Sequence, residues 1–558
     1  MSISRNWIAL VAIASLLPTV SAMAAANGNK WRFPPTINAP WALEEDEDLP
    51  DNPFDAAGLC RSSPFNLPGT YGPLGSNVNA IVGDATNNSG FSNFGCTTPQ
   101  NETTIAVNPT NSKNLIAGAN DYRVCCDFDG LNDGTGWAYY SFDGGASWQN
   151  VQLPKLTFET GASGVFKKLD SAGDPVVAFS PDGLAYYANI VFSRDTPASG
   201  IAVSVSRDGG KTWSDPNLVS FNDAPNFFLD KNWIAAGPNG KVVVTWTRFS
   251  QGPHGAGYLA SPIVGAISTD YGKTWNRQGF PISDAAHPYD QGSQVAFDRD
   301  GALYVAYDGA SAATGYQTDA LILARSPDDG HTFETKELAR VYDDSDCYPT
   351  YDGRQTLTDM HFRLNSYPAM SVDPITGDIA IAWTDNQGSG TCGSGAASFS
   401  GTTANQVKLV KGSWSTIGTS VAAVTSSTPD KVFPGVASYN GTTTVTYYTR
   451  DYAIASLAAV CNVMTNPAPA GIAPVPSPRS VCMDYASKSS TDGFAAQRRL
   501  STESSNPFIQ FADGSFIGDY SQVAIGSDGR AHAAWTDFRG HPGVTPANQD
   551  VMIENFTP

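Results

Sequence analysis

One octet recurs four times. It reads SFDGGASW at 141–148, SRDGGKTW at 206–213, STDYGKTW at 268–275 and SPDDGHTF at 326–333. Successive copies start 65, 62 and 58 residues apart, so one supersecondary unit is being repeated. The template S-x-D-x-G-x-[ST]-[WF] predicts a hairpin turn. Its Asp accepts hydrogen bonds from the backbone N–H groups that follow. Its Gly supplies a backbone angle that other residues resist. Its terminal aromatic packs back beneath the turn. These octets are read as structural staples, not as chemistry.

A longer repeat surrounds them: an apolar strand, a Gly turn and a second apolar strand. Copies begin at Val176, Trp233, Val295, Ala369, Gly435 and Gln522, with a looser first copy at Thr104. The turn glycines are Gly183, Gly240, Gly301, Gly377, Gly441 and Gly529. This gives seven units over residues 101–558, about 65 residues each. The first two strands are near-continuous apolar runs, as in strands buried on both faces. The octet joins a third strand to a fourth. Repeated four-stranded antiparallel sheets are the signature of an all-β propeller, expected here with seven blades and alternatively with six. The seventh unit ends after its third strand, at QDVMIENF, so a strand from upstream is expected to complete it and close the ring.

Composition agrees with many short strands. Only 15% of residues are charged, while Gly numbers 53 and Pro 37. The 33 Lys and Arg against 53 Asp and Glu give a net charge of −20, which argues against nucleic acid as a partner. Arg5, the apolar run from Trp7 to Leu17, Pro18 and small residues to Ala26 have the layout of a secretory signal peptide. Residues 1–24 are read as that signal and 25–100 as an arm wrapped on the propeller. Residues 101–558 form the propeller itself. The run near the start is too short to span a bilayer, and no other stretch is long and apolar enough. The expected location is secreted or periplasmic. Export favours disulfides among the eight cysteines: Cys347 with Cys392, Cys461 with Cys482, and Cys125 and Cys126 with Cys60 and Cys96. No cofactor is expected. DFDGLNDG at 127–134 is a weak candidate for a structural calcium at Asp127, Asp129 and Asp133, with an Asp-rich turn as the plainer reading.

The octets resemble the Asp-box, or bacterial neuraminidase (BNR) repeat, of the sialidase superfamily. FIGDYSQVAIGSDGRAHAAWTDFRG at 516–540 resembles the last blade of exported sialidase-like proteins, and NETTIAVNP at 101–109 the first. The resemblance covers about residues 101–558. It implies a propeller glycosidase that binds an acidic sugar through an Arg triad, with a Tyr nucleophile assisted by a Glu and an Asp as acid/base. Two features depart from it. Sialidases carry an R-I-P motif, whose nearest string here is WRFPP at Arg32, and they have six blades.

In a propeller the segments before strand one and after strand two meet at one mouth of the channel. Before strand one lie Glu102, Asp174, Asp230, Lys231, Arg363, Asn365, Tyr367, Asp519 and Tyr520. After strand two lie Asp121, Arg123, Arg194, Arg248, Arg450 and Arg539. Two readings of these arginines stand side by side. Their forks converge on a substrate carboxylate, or each pairs with a neighbouring Asp and braces a loop. The sialidase resemblance puts Tyr520 as nucleophile beside Glu102, with Asp121 or Asp174 as acid/base. Arg123, Arg248, Arg450, Arg539 and Asp519 then hold the substrate, an acidic glycan. The plainer alternative has Tyr520 packing and Glu102 paired with an Arg. A lyase acting on uronic acids would instead use His361, Arg363 and Tyr367. A non-catalytic propeller that binds carbohydrate or protein is the third reading.

Overall fold

A computed structural model describes residues 74–82, 99–125, 132–193, 196–252, 258–276, 279–343, 348–351, 354–386, 403–452, 481–507, 516–539 and 549–558. It is a seven-bladed propeller of four-stranded antiparallel sheets. Blade 1 runs Gln100–Val107, Leu115–Cys125, Asn132–Ser141 and Gln149–Gln152. Blades 2 to 6 repeat this order from first strands Ser171–Phe179, Phe227–Ala236, Asp290–Phe297, Ala369–Val372 and Lys431–Tyr439. The first strands adjoin one another around the ring and line the channel. Apolar clusters fill every junction, among them blades 1 and 2, 2 to 4, 6 and 7, and 7 and 1. Second strands are the best covered: Ala185–Phe192 and Leu303–Ala310 are buried throughout. Fourth strands such as Glu334–Val341 face solvent.

The expected turns are present. All six glycines between first and second strands have positive φ, from 74° to 88°. Each octet links third and fourth strands. In the copy at 206–213, Ser206 Oγ donates to Asp208 at 2.9 Å and accepts from Gly210 N at 2.9 Å. Asp208 then accepts from Thr212 N at 2.9 Å and its hydroxyl at 2.6 Å. Trp213 Nε1 donates to Gly210 O at 3.1 Å, and its ring is buried. The same bonds recur at Asp143, Asp270 and Asp328.

Blade 7 is completed from upstream, as expected. Its own strands are Gln522–Ile525, Ala531–Asp537 and Asp550–Phe556. Val78–Asn79 pairs antiparallel with the last of these, Val78 opposite Ile553. One sheet thus joins residues far apart in sequence and closes the ring, with Val78–Asn79 covering part of the outer edge of Asp550–Phe556. Residues 1–73 and 83–98, which hold the expected signal peptide and most of the expected arm, and the candidate calcium residues Asp127 and Asp129 lie outside the described residues, as does the Asp133 side chain. Cys482 is disulfide-bonded. Its partner and the other cysteine side chains lie outside the described set. Among described residues, no helix is long and apolar enough to cross a membrane.

Candidate functional site

The mouth is built from a backbone irregularity. First strands of five blades carry a register shift, and at it Glu102, Asp174, Lys231, Gly292 and Phe433 adopt φ from 48° to 62°. Left-handed backbone costs about 1 kcal/mol or more for a non-glycine residue, so four such residues mark stored strain. The bulges bring side chains of blades 1, 2 and 3 together at the axis. Lys231 Nζ lies 3.9 Å from Glu102, 3.8 Å from Asp174 and 4.0 Å from Asp230. It also binds Asp519, in the approach to blade 7, at 2.5 Å. Arg363, which precedes blade 5, grips Asp519 with two bonds of 2.9 and 2.7 Å.

Amides lace the same groups. Asn120 donates to Glu102 at 2.9 Å, and its oxygen accepts from Asp174 N at 2.9 Å. Asn232 donates to the Asp174 carbonyl at 2.6 Å. Asp519 N donates to Glu102 at 3.3 Å. Four carboxyls therefore share two cations, and each of these six residues is at most 8% exposed. Ionising all four would bury two uncompensated negative charges. Holding protons costs less. Burial pushes Glu102 up to about 7, opposed by Lys231 and reinforced by the Asp519 charge. Burial likewise lifts Asp230 to about 7, against the pull of Lys231. Burial and then the Glu102 charge put Asp174 well above the usual carboxylate range. Asp519 stays low despite its burial, held down by Arg363 and Lys231. One oxygen of Asp174 meets no donor. The Asp174 and Glu102 carboxyls interact directly, and two carboxyls can hydrogen-bond only by sharing a proton.

Tyr520 crosses the channel from blade 7. Its ring stands edge-on to Trp233 at 5.6 Å, and its hydroxyl donates to Pro175 O at 3.1 Å. No hydrogen bond joins it to Glu102. Burial raises its pKa well above 10, and the Glu102 and Asp174 charges raise it further. The cavity beside it, lined by Lys231, Tyr367, Phe433 and Asp519 among others, measures about 30 Å3, room for a single water.

The expected arginine cup does not assemble. Arg123 grips Asp121 through Nε and Nη2 (2.9 and 2.6 Å) and donates to Val82 O at 2.9 Å. Asp121 also accepts from the Tyr139 hydroxyl at 2.7 Å, which commits it to the brace. Arg539, fully buried, holds Asp537, Thr502 and Asn77. Arg450 donates to Thr358 O at 3.0 Å and pairs with Asp430 at 3.5 Å. Arg248 is exposed, its guanidinium 5.9 Å from the Phe227 ring. Arg194 and Arg32 lie outside the described residues. Of the alternative set, Arg363 is committed to Asp519 and the Tyr367 hydroxyl donates to Gln291. Sequence reasoning placed Asp230, Lys231 and Arg363 at the mouth but gave Lys231 no role. Its position in D-K-N-W, equivalent to N-E-T-T in blade 1, was the available signal.

Neither a family model nor a curated protein matches the chain. Solved structures that resemble it do so weakly. The Hadza microbial sialidase Hz136 is 12% identical, with 76% of this chain and 73% of that one covered and a TM-score of 0.41. The α-L-arabinofuranosidase Arb93A of Fusarium graminearum, solved with an iminosugar inhibitor, is 10% identical over 87% and 98%, TM-score 0.40. The α-L-arabinanase of Penicillium chrysogenum, complexed with arabinobiose, is 11% identical over 82% and 93%, TM-score 0.38.

Proposed function

We propose that this chain is an exported glycoside hydrolase, sialidase-like in its Asp-box propeller, that works through the Glu102–Asp174 carboxyl pair. One observation carries the reading: two buried carboxyls face each other, one of them poised at about 7. A general acid serves best when its pKa lies near the working pH. In the proposed step the pair gives its proton to the glycosidic oxygen as the bond to the anomeric carbon breaks. Water then adds to that carbon and returns a proton to the pair. Lys231 keeps the pair's remaining charge balanced. A Tyr nucleophile has less support, because the Tyr520 oxygen rests on a carbonyl and not on a base. Preference for an acidic sugar loses Arg123, Arg450 and Arg539, which are engaged elsewhere, and keeps Arg248.

The site is closed as it stands. Glu102 and Asp174 are at most 5% exposed, so a sugar reaches the pair only if side chains around it move. That closure favours the second reading, a binding propeller whose ion cluster only locks the ring. A glycan screen separates the two. Wild type should cleave at least one glycan, Glu102→Gln should lose about a hundredfold or more in kcat with little change in KM, and Tyr520→Phe should keep activity. Binding without cleavage by wild type would leave the second reading, and equal cleavage by Glu102→Gln would remove the pair from the chemistry.

A further inference from the structure

The first strands line a second, partly open cavity below the ion cluster, toward the octet end of the ring. It measures about 280 Å3, room for on the order of nine waters at ~30 Å3 each. Trp233, Gln294 and Ala369 line both cavities, which therefore adjoin. Although the chain carries a net charge of −20, no residue lining the lower cavity is charged. Its walls include Ile105, Val107, Met370 and Val523.

Two glutamines in these walls have a fixed orientation. Gln522 Oε1 accepts from Thr104 Oγ1 at 2.7 Å and from Ile105 N at 2.9 Å. Gln294 Oε1 accepts from Met370 N at 2.7 Å. A backbone N–H only donates, so the accepting atom in each amide is the oxygen. Both glutamines line the cavity, and among the described residues no acceptor is bonded to the NH2 group of either. Gln294 belongs to blade 4 and Gln522 to blade 7, so the donors come from separate arcs of the ring.

We propose that the lower channel binds one uncharged saccharide unit. Its walls mix aliphatic side chains, which suit the C–H face of a sugar ring, with a larger share of polar surface from Gln, Ser and backbone groups. Its amide donors suit ring and hydroxyl oxygens, and an unbalanced charge would find no partner there. The site is independent of the Glu102–Asp174 chemistry. Ligand-observed NMR on the full chain tests it, with glucose, galactose, xylose and arabinose as neutral probes and glucuronate as the charged one. At least one neutral sugar should show saturation transfer, and glucuronate none. Gln522→Glu keeps the accepting oxygen and removes the donor, and Ala524→Leu narrows the channel. Either change should weaken binding about tenfold or more, while Glu102→Gln leaves it within about twofold. Thermal melts establish that each variant is folded, and two independent variants guard against loss of one. The proposal falls if no neutral sugar binds, if glucuronate binds as well, or if both channel variants retain binding.

Discussion

At the scale of single residues, proton uptake at the axis decides the behaviour of the mouth. Glu102, Asp174 and Asp230 hold protons more tightly when folded than when unfolded, because burial disfavours their charged forms and Lys231 offsets only part of that. The folded chain therefore binds the extra protons between the unfolded carboxylate range, near 4, and the folded values of about 7 for Glu102 and Asp230. Stability from these groups falls as pH rises through that window, and above it their cost is constant. Each group steepens the fall by at most about 1.4 kcal/mol per pH unit. Asp519 acts with the opposite sign: its contribution is present above about pH 4 and is lost as pH falls toward its low folded value. Urea midpoints from pH 5 to 8 should fall up to about 7, and Glu102→Gln should flatten the slope. A midpoint independent of pH in wild type would count against the shared protons.

At the scale of elements, the octet and the bulge do different work, and only the octet was legible. The octet is self-contained: its Ser, Asp, Gly and hydroxyl residue bond one another within eight positions, so the string alone specifies the turn. Its Asp is exposed while its aromatic is buried, which ranks their contributions. Asp208→Ala should cost about 1 kcal/mol. Trp213→Ala should cost about 3–5 kcal/mol, because it empties a buried ring site between blades 1 and 2. Denaturant titration of the two variants measures the difference, and equal losses would mean that packing does not hold the turn. The bulge, in contrast, is shared by Glu, Asp, Lys, Gly and Phe. No residue pattern announces it. Only the equivalence of the first strands around the ring marks these positions as a set.

At the scale of the whole molecule, closure depends on a short upstream segment. Asn77 donates to Glu554 at 2.9 Å and to Leu500 O at 2.8 Å, and Arg539 holds its oxygen at 3.0 Å. Arg123 takes Val82 O, and Asn150 donates to Ala80 O at 2.8 Å. Residues 77–82 thereby join blades 6, 7 and 1. Two arginines expected to hold substrate are thus closure clamps. A chain lacking residues 1–82 should expose the edge of Asp550–Phe556, melt earlier and associate, and a peptide of residues 74–82 added in trans should restore the monomer. Circular dichroism and gel filtration read this out. An unchanged melt in the truncated chain would make the closure idle.

Two strict periodicities settled the architecture from the sequence alone, because turn chemistry and apolar runs are local and repeat once per blade. Even the missing strand of blade 7 followed from counting. Partner choice among charged side chains was decided only in three dimensions. An Arg two residues after an Asp reads the same whether its fork reaches a ligand or its own neighbour, and here the neighbour and the returning arm take it. The meeting of Glu102, Asp174, Lys231 and Asp519 requires four blades to share one axis. Proton affinity in that cluster depends on burial and on the count of nearby charges, which chain order does not encode.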